Sequence, residues 1–197
     1  GCAGQRCMAA ANLVAVGSVD PIVEQICAEA KKLAPGEHLG PVISAAARER
    51  IILFIDEAEQ QGARVLVDGR SVSVPGGEGG FYLGPTVLDN VTPDMRIAQE
   101  EVFGPVLAIL RAGNLEEAVE IENRSPYATA ASIYTQNGRH ARQFSQAASA
   151  GMVGVNIGVP VPLEPFGFGG WNQSRFGVGD ITGPSSVEFW TKSKKIN

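Results

Sequence analysis

The 197-residue sequence is poor in the residues that mark several common chemistries. Its three cysteines, Cys2, Cys7 and Cys27, are a low, odd number without metal-ligand spacing. That excludes a disulfide framework, gives no metal centre, and points to a reduced, cytoplasmic protein. The two histidines, His38 and His140, stand far apart without partner motifs. Both read as surface residues, and a hydrolase built on a Cys–His pair is disfavoured. No run of about 18 apolar residues occurs, so no membrane span is expected. The start has no charged segment leading into an apolar one and does not read as a secretory signal. Positive charge is also scarce. Against 21 Asp and Glu there are 16 Lys and Arg, a net charge of −5, which argues against a nucleic-acid or anionic-membrane surface. Lys192, Lys194 and Lys195 are too few to reverse that. G-x-G-x-x-G, Walker, H-E-x-x-H and G-x-S-x-G motifs are all missing. The glycine cluster at 76–80 lies between strand-like segments with no helix after it, so it reads as a turn.

What is present is an ordinary globular composition, 44 % apolar, long enough to bury a substantial core. Residues 13–16 form an apolar run suited to a buried strand. Asp20-Pro21 then starts a helix, with Asp20 as N-cap and Pro21 at N1, running to about Ala34. A second helix is expected over 44–61, with Ile51, Ile55 and Ala58 on one face and Gly62 as its stop. Strands follow over 64–67, 85–91 and 105–110, then a helix capped by Asn114 with Glu117 as capping-box partner. A strand over 130–135, a helix over 138–150 with Ala141, Phe144 and Ala148 on one side, and a strand over 152–156 complete the series. The alternation predicts an α/β fold, a mostly parallel sheet flanked by helices. Such sheets place their sites at the carboxyl ends of strands, where Asn156 and the following loop fall. Residues 158–183 are a long segment rich in Gly, Pro and aromatics; Phe166, Phe168, Trp171 and Phe176 read as an ordered lining. The final stretch, with Val187, Phe189 and Trp190 ahead of lysines, reads as one exposed or partner-paired strand.

Two stretches carry chemistry. In Gly4-Gln5-Arg6-Cys7 a glycine permits a tight backbone turn, and an arginine beside the cysteine favours the thiolate, the nucleophilic form. Met8-Ala9-Ala10-Ala11 is compatible with helix, so Cys7 is expected at or near a helix N-terminus, where backbone N–H groups stabilise a thiolate and an adjacent oxyanion. By themselves these four residues describe an inert buried cysteine beside a surface arginine more readily than a catalytic site. The second stretch is Glu100-Glu101-Val102-Phe103-Gly104-Pro105. A carboxylate there suits a diol, accepting hydrogen bonds from both hydroxyls, and Phe103 offers a flat face to a ring. The plainer alternative is a solvated acidic helix end packed by one phenylalanine.

Together, and in this order and spacing, the two stretches resemble the C-terminal, catalytic half of an aldehyde dehydrogenase. The resemblance extends through Gly40-Pro41-Val42-Ile43-Ser44, Leu83-Gly84-Pro85-Thr86-Val87 and Gly154-Val155-Asn156. Arg6 beside the cysteine, Val91-Thr92-Pro93-Asp94-Met95 and Val159-Pro160-Val161-Pro162-Leu163 are similar to the methylmalonate-semialdehyde branch, which is CoA-acylating. The resemblance implies a catalytic domain over 1–185 and a bridging, oligomerising strand over 186–197. It implies that Cys7 attacks a small aldehyde and its own N–H donates to the oxyanion. Glu101 would hold the nicotinamide ribose of NAD, with Phe103 against that end of the cofactor. Arg6 would pair with the substrate's distal carboxylate, Asn156 would border the substrate entrance, and CoA would take the acyl group. It further implies a homo-oligomer and a missing N-terminal nucleotide-binding half, so that this chain alone lacks full turnover. Cys2 stands where the family usually has a small residue, which opens a Cys2–Cys7 disulfide. A second reading is a truncated remnant that keeps the fold and acts as an oligomerising or binding module without catalysis.

Overall fold

The computed structural model describes residues 2–196, so Gly1 and Asn197, the outer limits of the two expected domains, lie outside the described residues. The chain divides into two compact units, 1–121 and 122–197.

The first unit is an α/β layer structure. Its elements are strand β1 (Asn12–Val16), helix α1 (Asp20–Ala30), helix α2 (Ala45–Gln60), strands β2 (Arg64–Val67) and β3 (Thr86–Asp89), the short helix α3 (Arg96–Gln99), strand β4 (Val106–Ala112) and most of helix α4 (Leu115–Asn123). The strands form one sheet in the order β1-β4-β3-β2. β4 runs parallel to both neighbours, Asn12 facing Ala108 on one side and Thr86 facing Val106 on the other; β2 is antiparallel to β3. Period-two alternation sends side chains to opposite faces. Ala108, Leu110 and Leu88 therefore join Ile51, Phe54 and Ile55 of α2, while Ile109, Val87 and Ala15 join Val23 and Cys27 of α1. Each of the three large α2 side chains is at most 1 % exposed. Full burial of such a side chain is worth about 1.5–3 kcal/mol, so α2 is a firm platform on its face of the sheet.

The helix boundaries show where local rules held. α2 starts as its sequence predicts: extended Ser44 caps it, its hydroxyl accepting from Ala47 N at 3.1 Å. Gly62, at φ +103°, follows the final turn. At α1 the expectation needs correction. Val19, not Asp20, occupies the N-cap, and the helix ends at Ala30 rather than near Ala34. The Asp20 carboxylate is engaged elsewhere, accepting from Arg111 Nη1 on β4 at 2.8 Å. Beyond Ala30 the chain tightens into turns, and Ala34 O receives the N–H of His38 at 2.8 Å. The α4 cap is close to expectation: Asn114 Oδ1 accepts from Glu117 N at 2.9 Å, while the Glu117 carboxylate accepts from Gly113 N at 2.7 Å.

The second unit contains strands β5 (Tyr127–Ala128) and β6 (Ala130–Ile133), helix α5 (Gly138–Ala147), strands β7 (Met152–Val155) and β8 (Trp171–Asn172) and helix α6 (Ser186–Trp190). β6 and β7 pair in parallel, β5 and β8 antiparallel. α5 stops at Ala147, short of the expected 150, because Asn123 intervenes. Its Nδ2 donates to Ala147 O at 3.0 Å, and its Oδ1 takes Ser149 N at 2.6 Å.

Two further expectations are corrected here. The bridging strand expected over 186–197 is instead the helix α6 followed by irregular chain to residue 196. A strand needs a ladder partner for its backbone groups, and none is present among the described residues; α6 instead uses local bonds from Glu188 N and Phe189 N to Ser185 O. Nor do the aromatics of 158–183 form a buried lining. Phe166 and Phe176 are 71 % and 82 % exposed. Among the described residues, no helix is long and apolar enough to cross a membrane.

Candidate active site

The cysteine segment is a turn locked from three sides. Cys2, Ala3 and Gly4 have φ of +54°, +51° and +76°, and Gln5 N donates back to Cys2 O at 3.1 Å. Left-handed backbone costs about 1–2 kcal/mol per non-glycine residue, so something must hold it. Gln5 does so: its Oε1 accepts from Ile43 N at 2.9 Å, and its Nε2 donates to Cys2 O at 2.9 Å and to Pro41 O at 3.4 Å. Ala9 N then bonds Arg6 O at 2.9 Å, closing a second turn that carries Cys7 and Met8. The helix N-terminus expected at Cys7 is therefore absent. Pairing with β4 claims the chain from Asn12 onward, which leaves only about one turn between Cys7 and the strand. Arg6 and Cys7 are both exposed. Cys2 and Cys7 are free, exposed thiols, whereas Cys27 is buried on the inner side of α1, where burial pushes its thiol up.

The second stretch lies against the first. A Cβ placed on Gly4 would come 2.0 Å from Gly104 O, so the backbone of the cysteine turn touches the segment that carries Glu101 and Phe103. The adjacent acids have separate fates. Glu100 is clamped by Arg96, with Nε to Oε1 at 2.9 Å and Nη2 to Oε2 at 3.2 Å, and this pairing holds its carboxyl below the usual range. Glu101 is exposed. Val102 is buried as an anchor, and Phe103, at φ +57°, turns outward with 38 % exposure. Arg50 on α2 donates from Nη1 to Glu101 O at 3.2 Å and from Nη2 to Val102 O at 2.6 Å.

Asn156 follows the carboxyl end of β7, as expected. Its side chain has a task inside the second unit: Oδ1 accepts from Thr135 N at 2.8 Å and Nδ2 donates to Thr135 O at 3.0 Å. The amide thus ties together the segments leaving β6 and β7. His38 and His140 are both exposed, and His38 Nδ1 accepts from Ala34 N at 3.1 Å.

Sequence reasoning gave no role to Gln5 or Arg50. Gln5 had a weak signal, since a turn built on Gly4 needs an external anchor. Arg50 had none, because a cation on a helix normally reads as part of a solvated face. Gly4→Ala tests the contact between the turns. The added Cβ meets backbone rather than a flexible tip, so a loss of about 2 kcal/mol is expected from left-handed strain alone. In a 197-residue chain this lowers the melting temperature by about 4–8 °C, read by thermal denaturation.

Fold and site together describe an α/β chain with an exposed free thiol on a turn that touches the Glu101–Phe103 segment. The family model described as "Aldehyde dehydrogenase family" matches residues 1–196. Malonate-semialdehyde dehydrogenase 1 of Geobacillus thermodenitrificans is 43 % identical over 203 aligned positions, covering 100 % of this chain and 42 % of that protein. A mitochondrial protein of Drosophila pseudoobscura, provisionally named methylmalonate-semialdehyde/malonate-semialdehyde dehydrogenase (acylating), is 44 % identical, covering 100 % and 39 %. A Sinorhizobium meliloti structure, provisionally named methylmalonate-semialdehyde dehydrogenase and complexed with NAD, superposes with a TM-score of 0.94 at 40 % identity, over 98 % of this chain and 41 % of that one. The chain belongs to the aldehyde dehydrogenase family. It spans about two fifths of the length of these relatives.

Proposed function

We propose that this chain is the cysteine-bearing part of an NAD-dependent dehydrogenase that oxidises a malonate- or methylmalonate-type semialdehyde to an acyl-CoA. The contact of Gly4 with Gly104 carries this reading, because it joins the turn of Arg6 and Cys7 to the segment of Glu101 and Phe103. One ligand can then meet a thiol and a diol-holding carboxylate together. The names of the relatives support the substrate class and the acyl acceptor.

The Cys7 thiolate attacks the aldehyde carbon, forming a C–S bond while the carbonyl electron pair moves to oxygen. The Cys7 backbone N–H donates to that oxyanion. When bound, NAD accepts the hydride released from the thiohemiacetal carbon. The residues present fit this cofactor: Glu101 is exposed and its carboxylate would accept from two ribose hydroxyls, and the outward Phe103 ring would lie against the flat nicotinamide end. Collapse of the oxyanion leaves a thioester on Sγ. The CoA thiol, giving up its proton, adds to the thioester carbon, and the Cys7 thiolate departs. Arg6, exposed next to the nucleophile, pairs with the distal carboxylate of the semialdehyde, a task suited to a planar guanidinium.

Residues 1–185 form the catalytic domain in this reading. The segment after 185 pairs with a second copy, which the 66 % and 69 % exposure of Val187 and Trp190 favours. Exposed free thiols at Cys2 and Cys7 suit the reducing cytoplasm.

The test is NADH formation by the whole protein from malonate semialdehyde, with and without CoA. Turnover is expected to require CoA, and this 197-residue chain alone is expected to form little NADH. Arg6→Ala is expected to reduce kcat/KM for the semialdehyde acid, relative to an uncharged aldehyde of equal length, about ten- to a hundredfold, the worth of one charged hydrogen bond. An unchanged ratio would remove Arg6 from the site; CoA-independent turnover would remove the acylating assignment.

A further inference from the structure

We infer that Arg50 is a positioning residue that sets Glu101 and Phe103 for the cofactor; this rests on the cofactor reading of those two residues. Its guanidinium takes two consecutive backbone carbonyls, Glu101 O at 3.2 Å and Val102 O at 2.6 Å. In an extended strand successive carbonyls point to opposite sides. Capture of both by one planar fork therefore fixes a bend at this place. The bend continues directly into Phe103 at φ +57°, the residue whose ring faces outward.

The clamp stands on a rigid base. Arg50 lies over the ring of Phe54 with its guanidinium carbon 5.3 Å from the centroid, and Phe54 is 1 % exposed on α2. The next residue, Ile51, supports the far end of the same segment, since a Cβ on Gly104 would come 2.6 Å from Ile51 Cδ1. One helix thus holds the Glu101–Gly104 segment by a guanidinium at one end and by packing at the other. The loop entering α2 holds the cysteine turn through Gln5 and Ile43. α2 consequently sets the spacing between the thiol and the carboxylate, with Arg50 as the polar half of that arrangement. The role depends on the fork. Two donors in fixed planar geometry reach both carbonyls, whereas a lysine ammonium is a single point charge.

The test measures NAD affinity by calorimetry in the whole protein. Arg50→Met is expected to weaken NAD binding about tenfold or more, the worth of bonds from a charged donor, with Arg50→Lys intermediate. Alkylation of Cys7 by iodoacetamide is expected to stay within about twofold, because the cysteine turn keeps its own Gln5 anchor. Glu101→Gln tests the underlying reading separately. If it binds NAD like wild type, the cofactor role of Glu101 fails. If it weakens binding while Arg50→Met does not, only the role of Arg50 fails. The double variant discriminates further. With Phe103→Ala added both to it and to Glu101→Gln, action through Glu101 and Phe103 makes it bind NAD no more weakly than Glu101→Gln with Phe103→Ala, whereas multiplication of the losses overturns the inference. Should Arg50→Met not fold, Arg50→Lys decides on the same measurement, and wild-type affinity there overturns the inference equally.

Discussion

Cys7→Ala is expected to lower NADH formation by the whole protein at least about ten-thousandfold, because in the proposed reaction it removes the covalent nucleophile and leaves only binding and oxyanion contacts. The acyl adduct on the chain, trapped by mass spectrometry after incubation with semialdehyde and NAD but no CoA, should disappear with it. Two neighbours sharpen the interpretation. Cys27 is buried among Val23, Val87 and Ile109, so it cannot substitute. Cys2 is exposed and close in sequence, but its own carbonyl is bound by the Gln5 anchor in the left-handed part of the turn. Cys2→Ala is expected to change the rate less than threefold, about what a surface side chain outside the site warrants. Retention of more than about a tenth of the activity in Cys7→Ala, with Cys2→Ala added so that the neighbouring exposed thiol cannot substitute, would sink the covalent mechanism.

Asp89→Asn should have the largest effect on stability. Asp89 is 1 % exposed at the end of β3, and its carboxylate is fully engaged. Arg111 donates to it twice, Nε to Oδ1 at 2.9 Å and Nη2 to Oδ2 at 2.8 Å. Arg64 Nη2 reaches Oδ2 at 3.3 Å and Asn90 N reaches Oδ1 at 2.8 Å. Breaking a buried pair costs about 3–5 kcal/mol, here toward the low end because Arg111 keeps Asp20 as a second partner. For a chain of this size that is roughly 6–20 °C in melting temperature.

The same cluster sets an acid limit. The Arg111 bonds, opposed by burial and assisted by Asn90 N–H and the charges of Arg111 and Arg64, hold the Asp89 carboxyl below the usual range. A group with a depressed folded pKa contributes its stability in full above its unfolded value of about 3.9 and loses it as pH falls through the folded value. Wild type should therefore lose stability below about pH 4, while Asp89→Asn, already weakened, should lose less. Glu122 works in the opposite sense, since burial raises its pKa and favours the protonated fold. Comparing wild type with Asp89→Asn at each pH cancels that contribution. Parallel curves of melting temperature against pH for the two proteins would show that Asp89 is not the titrating group.

Much of the scaffold was legible because local rules and burial agree there. The apolar stripe of Ile51, Ile55 and Ala58 forms the buried face of α2, and Ser44 caps that helix. The short apolar runs became β1, β2 and β4 near their expected limits. Where long-range partners compete, local reading failed. Asp20 has a good capping side chain, yet Arg111 on β4 takes its carboxylate. Alanines after Cys7 suit a helix, yet β1 must reach β4. The terminal stretch has strand-like residues, but such residues pack equally well on a helix face when no ladder is available.

The amino-acid order alone established the α/β alternation, the family resemblance and the identity of Cys7, Arg6, Glu101 and Phe103 as candidates, because period, capping and motif spacing are written along the chain. Only the folded chain settled that Gly4 touches Gly104, that Gln5 locks the cysteine turn, that Glu100 is engaged while Glu101 is exposed, and that Arg50 reaches two carbonyls. Those facts depend on residues far apart in sequence meeting across a sheet and a helix. Such meetings follow from the strand order β1-β4-β3-β2 and the burial of α2 against it, which no local window of sequence contains.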